Sequence, residues 1–262
     1  MQVHRLGHPR GDKYGTCGLC GFKGKLSMTH IPPRAAGNIG EARPAVLYFD
    51  ERTGESIVGF GRATYDGMAG WWLCATCNNR TAKWEREFLR WTDQLSLAIR
   101  THPAPAWKRL SAHDPSSDPG AFVRVLWAWM FAIDEKLRWG WPELAESILT
   151  GEPASPPRGL RLLLTATTSP WIAAIKPTRA QWTGKGWDPN AASQPRVAVT
   201  APPFVAYLAA DGTDPAPGSL DTSEWLVDRA EARRPLDLEL LIVETLTDED
   251  VERMRALAPA SA

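Results

Sequence analysis

Two short cysteine pairs, Cys17-Gly-Leu-Cys20 and Cys74-Ala-Thr-Cys77, constrain this chain more than any other feature of its sequence. Two residues between the cysteines of a pair let the backbone double back so that both sulfurs reach one ion. Two such pairs supply the four thiolates of a tetrahedral structural zinc site. The chain has four cysteines in all, so none is left over to suggest another use. Cys17, Cys20, Cys74 and Cys77 are therefore read as Zn²⁺ ligands, with Gly18 and Gly21 permitting the tight turns of the first knuckle. Metal explains the pairs better than disulfides do, and the opening Met-Gln-Val-His-Arg has no apolar run of a signal peptide. The expected location is cytoplasmic, and no stretch approaches the length of a membrane span.

Between the pairs lie 53 residues, far more than a zinc ribbon uses. Leu26 to Ile31 reads as a strand stopped by Pro32-Pro33. Ala45 to Asp50 and Ser56 to Phe60 read as a hairpin turning at Glu51 to Glu55. After the second pair, Trp84, Phe88, Trp91 and Leu95 recur at helical spacing and predict a helix from Asn79 to Ile99. Arg80, Lys83, Arg86 and Arg90 fall along another side of it, a face suited either to phosphates or to solvent and nearby glutamates. His30 has two readings, a general base or a group that hydrogen-bonds the thiolates or a backbone carbonyl. Asn78 and Asn79 can serve as helix N-caps. His4 and His8 stand four apart, but Gly7 and Pro9 argue against a helix that would bring them together.

The combination of a C-x-x-C pair, Thr29-His30-Ile31-Pro32-Pro33 and Leu73-Cys74-Ala75-Thr76-Cys77-Asn78-Asn79 resembles the HNH endonucleases of ββα-metal, or treble-clef, fold. The resemblance covers about residues 15–92. It implies that His30 is the general base activating water against a phosphodiester, that Asn78 helps to hold a catalytic Mg²⁺ or Mn²⁺, and that the zinc only holds the fold. Arg34, Arg80 and Lys83 become the expected phosphate contacts. DNA is the implied partner, with RNA also open, and such enzymes often act in phage defence or mobile elements. Two departures stand out. Thr29 occupies the position of an acidic metal ligand, and the segment from Asp66 to Trp71 lacks the middle Asn of the motif, with Asn38 lying elsewhere. The alternative is a catalytically degenerate HNH module serving as a zinc-stabilised binding domain for nucleic acid or protein.

Charge bears on that choice. Thirty basic and thirty acidic residues cancel, so the whole chain presents no net field for nucleic acid. Residues 1–100, however, carry 14 Lys+Arg against 9 Asp+Glu, and the excess sits on the zinc half. Prolines and polar residues mark 102–120, with His102 and His113, as a linker. Beyond it, Phe122 to Leu137 is too apolar for a one-sided surface helix and reads as a buried one. Trp141 to Leu149 reads as a shorter helix with Pro142 at its first position. Leu160 to Thr165, Arg196 to Thr200, Pro203 to Leu208 and Leu236 to Val243 read as strands, Leu220 to Arg229 and Asp248 to Leu257 as helices, and 176–195 as a long loop. The expected class is α+β: a zinc domain over 1–101 with an inserted hairpin, the linker, and an α+β domain over 121–262. That second domain offers a surface for a protein partner or a homodimer.

Overall fold

The glycines of the first knuckle shape the beginning of the described chain. Gly21 takes a left-handed φ of 71°, which lets its N–H reach the Cys17 carbonyl at 2.9 Å while the Cys17 N–H reaches Phe22 O at 2.8 Å. The strands Tyr14–Thr16 and Lys23–Lys25 pair antiparallel on either side of this turn. The structure is a computed structural model of the chain. It describes residues 13–40, 66–101, 109–168, 172, 197–211 and 219–242, together with the backbone of the strands Gln2–His4, Ala45–Asp50, Glu55–Phe60, Ala173–Ile175, Gln181–Trp182 and Trp187–Asp188.

The strand expected over Leu26 to Ile31 forms over Ser27–His30 and pairs antiparallel with Ala69–Leu73. The inserted hairpin forms as read, Ala45–Asp50 against Glu55–Phe60, and gains Gln2–His4 as a third strand. Ala69–Leu73 leads straight into α1 (Ala75–Ala82), followed by α2 (Glu85–Thr101). The single helix expected over Asn79 to Ile99 is thus two. The break falls at Lys83-Trp84 because the Trp84 indole is buried and donates to Ile148 O at 3.0 Å, far away in sequence. The helix cap is Cys74, so Asn78 and Asn79 lie inside α1 and neither is its N-cap.

Part of the stretch read as a linker is a strand. Arg109–Ser117 pairs antiparallel with Arg234–Leu241, burying Leu110, Asp114 and Ser117. Pro115 and the serines around it disguised the strand. A proline is tolerated at a sheet edge, and this ladder has only two strands, so both are edges.

Every residue of α3 (Pro119–Ile133) is buried, as its composition predicts, and the Asp118 side chain caps it by accepting from the Ala121 N–H at 2.9 Å. The short α4 (Leu137–Gly140) and α5 (Pro142–Thr150) follow, with Pro142 at the helix start and Gly151 (φ 84°) closing it. A five-stranded antiparallel sheet runs in the order Ala173–Ile175, Ala198–Ala201, Phe204–Ala210, Leu160–Ala166, Leu220–Asp221. The helix expected over Leu220 to Arg229 is instead this last strand and a 3₁₀ turn, Ser223–Val227. Thr222 and Ser223 pin it, Thr222 Oγ1 donating to Leu162 O and the Leu162 N–H donating to Ser223 Oγ. The expected helix Asp248 to Leu257, His102 and His8, and most of the loop 176–195 lie outside the described residues, as does the side chain of His4.

The class is α+β, and one continuous core joins the halves. It runs from Cys17, Leu19 and Trp72 through Phe88, Trp91 and Phe122 to Leu208 and Leu240. Inside it sits Arg124, fully buried. Its guanidinium donates to the carbonyls of Gly120, Ser147, Glu152, Leu226 and Asp228, and among the described residues it forms no ion pair with a carboxylate. No helix among the described residues is long and apolar enough to cross a membrane.

Candidate functional site

The knuckle and the start of α1 bring the four cysteines together. Their sulfurs all lie within 4.8 Å of one another, and Cys20 Sγ and Cys74 Sγ are 3.7 Å apart. A tetrahedron with Zn–S bonds of about 2.3 Å has edges of about 3.8 Å, whereas a disulfide needs about 2.05 Å. The geometry is that of a metal cage and not of a crosslink. Cys74 caps α1 and Cys77 lies in its first turn, where the positive end of the helix dipole favours thiolates.

Electrostatics make the same point. A hydrogen bond from Cys77, with backbone N–H groups, lowers the Cys17 thiol to about 4 against the opposing effect of burial. Its hydrogen bond to Cys17 and its own burial push the Cys77 thiol well up. Burial raises Cys20. Sulfurs this close keep their charge down by sharing protons, and a soft divalent cation replaces those protons with a better neutraliser. Cys17, Cys74 and Cys77 are buried and Cys20 is half-buried, so the donor set and its enclosure fit Zn²⁺ held for structure.

The cage is braced from outside. A Cβ on Gly18 would stand 2.2 Å from Phe131 O, so the knuckle rests directly on the backbone of α3. The Gly18 N–H donates to Trp72 O at 3.0 Å, and Arg138 Nε donates to Leu19 O at 3.0 Å.

His30 closes its strand and is half-buried. Its Nε2 lies 3.0 Å from the backbone carbonyl of Asp66. A carbonyl only accepts, so Nε2 carries the hydrogen, and the neutral ring then has its lone pair on Nδ1. The loop that supplies this carbonyl is tied down by Asn38, a buried residue set apart from the motif in the sequence. Asn38 Nδ2 donates to Pro32 O at 2.6 Å and to Met68 O at 2.8 Å, and its Oδ1 accepts from the Met68 N–H at 2.6 Å. Ile31 N–H adds a bond to Met68 O at 3.2 Å. Gly67 takes φ 73°, and any Cβ there would meet Asn38 at 2.4 Å. The hint available in the sequence was an amide within the Gly-rich turn that follows Pro32-Pro33.

The other expected residues are placed as follows. Thr29 is 6% exposed and its Oγ1 has no hydrogen-bond partner among the described residues. As His30's neighbour on a strand it faces the opposite side. Asn78 is half-buried, and its amide reaches back to Met28 O at 3.5 Å, a long contact. Asn78 and His30 therefore both border the strand Ser27–His30. Arg34 and Arg80 are exposed. Lys83 is exposed too, but its ammonium lies 3.8 Å from the centre of the Trp84 ring and is engaged there. Among the described residues the four cysteines are the one group of three or more His, Cys, Asp or Glu side chains able to hold a metal.

Comparison of the chain with models of known protein families, with curated proteins and with solved structures returns no match.

Proposed function

We propose that residues 15–92 form a treble-clef module of HNH type, zinc-held, and that the protein is a metal-dependent endonuclease acting on DNA. The observation that carries this reading is the His30 ring, oriented by the Asp66 carbonyl at 3.0 Å. Fixing Nε2 as the donor leaves Nδ1 as the basic atom, the arrangement of a histidine that takes a proton from an attacking water. Asn38 acts through the loop: by holding Met68 it holds the segment that presents the Asp66 carbonyl. The four cysteines take no part beyond holding the knuckle and α1 in register. A bound Mg²⁺ or Mn²⁺ would supply charge stabilisation at the phosphate and the departing oxygen. The Asn78 amide oxygen is the side-chain group suited to such an ion. Thr29, buried on the opposite side of the strand, does not fit as a ligand.

That last observation supports a second reading, a module that has lost catalysis and binds nucleic acid or protein. The test is cleavage of supercoiled plasmid and of single-stranded DNA with Mg²⁺, Mn²⁺ or no added metal, comparing the parent with His30→Ala. The nuclease reading predicts metal-dependent cutting that the variant loses while keeping one zinc per chain. Absence of cutting with every metal, in protein that retains its zinc, favours the binding module.

A further inference from the structure

The knuckle hairpin carries a surface that neither the cage nor His30 uses. Its register sets Tyr14 opposite Lys25 and Thr16 opposite Lys23. Cross-strand partners and alternate residues share a face, so these four side chains form one patch. Gly15 and Gly24 lie on the other face, where a Cβ on Gly24 would meet the exposed Phe22 ring at 2.5 Å and one on Gly15, itself exposed, would meet Leu26 at 3.3 Å. Tyr14 is 68% exposed, Lys23 and Lys25 are exposed, and Thr16 is half-buried beside them.

The local charge has one sign. From Lys13 to Gly40 the sequence contains Lys13, Lys23, Lys25 and Arg34 and no Asp or Glu at all, in a chain whose acids and bases are equal in number. Some exposed cations elsewhere pair with carboxylates, as Arg109 does with Glu239 and Arg229 with Glu152, while Arg80, Arg86 and Lys136 are exposed without an ion pair among the described residues. Among the described residues Lys23 and Lys25 form no ion pair. A phenol ring with a lysine directly across the ladder, and a second lysine two residues along, matches a base and the phosphates that flank it.

We infer that the outer face of this hairpin, Tyr14, Thr16, Lys23 and Lys25, is a binding surface for single-stranded nucleic acid. Tyr14 stacks on an unpaired base and the two lysines neutralise neighbouring phosphates. An exposed ring on a two-stranded ladder can meet the face of a splayed base but not one stacked inside a duplex, and this selects the single strand. The inference deepens the proposed function and rests on it for why a strand is held here. Lys25 and His30 are five positions apart, a span of at most about 18 Å, so a strand on the hairpin is delivered close to the base.

The test is fluorescence anisotropy with a labelled dT20 strand, its rU20 counterpart and a duplex of equal length, using full-length protein without added Mg²⁺ or Mn²⁺ across a salt series. The double variant Lys23→Gln, Lys25→Gln is expected to flatten the slope of log affinity against log salt by about 1.4, two phosphates at about 0.7 each for a single strand. Tyr14→Ala is expected to weaken binding at least about fivefold at unchanged slope, and Tyr14→Phe to retain it. The rU20 strand is expected to bind like dT20, since neither stacking nor phosphate contact reads the sugar. Retained zinc content and melting temperature in each variant confirm that the fold is intact. Parent-like affinity in the lysine and Tyr14→Ala variants overturns the inference, and so does tighter binding of duplex than of single strand. Single-strand binding by a parent that cleaves nothing removes the nuclease reading alone, and cleavage by a parent that binds no single strand removes the hairpin surface alone.

Discussion

Asn38 makes the sharpest structural prediction. Its side chain is 2% exposed and makes three hydrogen bonds to backbone groups of Pro32 and Met68. Asn38→Ala removes all three. At about 1 kcal/mol for each bond, and with Met68 half-buried so that water can reach part of the vacated space, the loss is about 3 kcal/mol. For a chain of this size each kcal/mol moves the melting temperature by roughly 2–4 °C, so a fall of roughly 6–12 °C is expected. Asn38→Asp separates the hydrogen-bond argument from simple loss of volume. Aspartate keeps the acceptor for the Met68 N–H but turns a carboxylate toward two carbonyl oxygens that need a donor. It should cost more than alanine at pH 7.5 and regain part of the loss near pH 5, where a protonated carboxyl can donate. Thermal and urea unfolding at the two pH values read this directly. Melting within about 2 °C of the parent in both variants refutes the clamp, as does an aspartate better tolerated than alanine at pH 7.5.

Burial pushes the Glu85 carboxyl up to about 7. Between its ordinary value and pH 7 the native state holds a proton that the unfolded chain has released, so stability falls as pH rises through that window. Glu85→Gln should therefore stabilise by about 1–2 kcal/mol at pH 8 and give no gain at pH 4.5, with an equal effect at both pH values speaking against the assignment. A Cβ at Gly18 would press on Phe131 O at 2.2 Å. Gly18→Ala should thus cost about 1–3 kcal/mol and speed zinc loss to a chelator, while Gly140→Ala, with open space around it, serves as the neutral control. Matching zinc-release rates in the two variants would contradict the direct seating of the knuckle on α3.

What the sequence made legible is what it encodes locally. The cysteine cage follows from two short spacings, and α3 from an unbroken apolar run. The strand Ser27–His30 follows from its Pro-Pro stop. The features that escaped have distant causes. The strand Arg109–Ser117 exists because Arg234–Leu241, more than a hundred residues later, pairs with it, and its own Pro-Ser composition argues for a connection. The break between α1 and α2 depends on Trp84 reaching Ile148, while the apolar stripe runs through it undisturbed. Thr222 and Ser223 fold their segment as a 3₁₀ turn because Leu162 offers backbone partners. Asn38 looked displaced because its partner Met68 is brought to it by the pairing of two strands that the inserted hairpin separates in sequence. His30 was legible as a residue, and a bond to a backbone carbonyl was one of its two readings, but that the carbonyl is Asp66's was not.

The central claim is that this fold is built on a zinc held by four thiolates, with His30 outside the cage and turned to the Asp66 carbonyl. X-ray absorption at the zinc edge on protein purified under reducing conditions, with metal content measured on the same sample, tests it most directly. The account predicts one zinc per chain and four sulfur neighbours at about 2.3 Å. Absence of zinc, or a nitrogen neighbour in the shell, contradicts it: the first removes the cage, and the second places a histidine on the metal in place of the role assigned to His30.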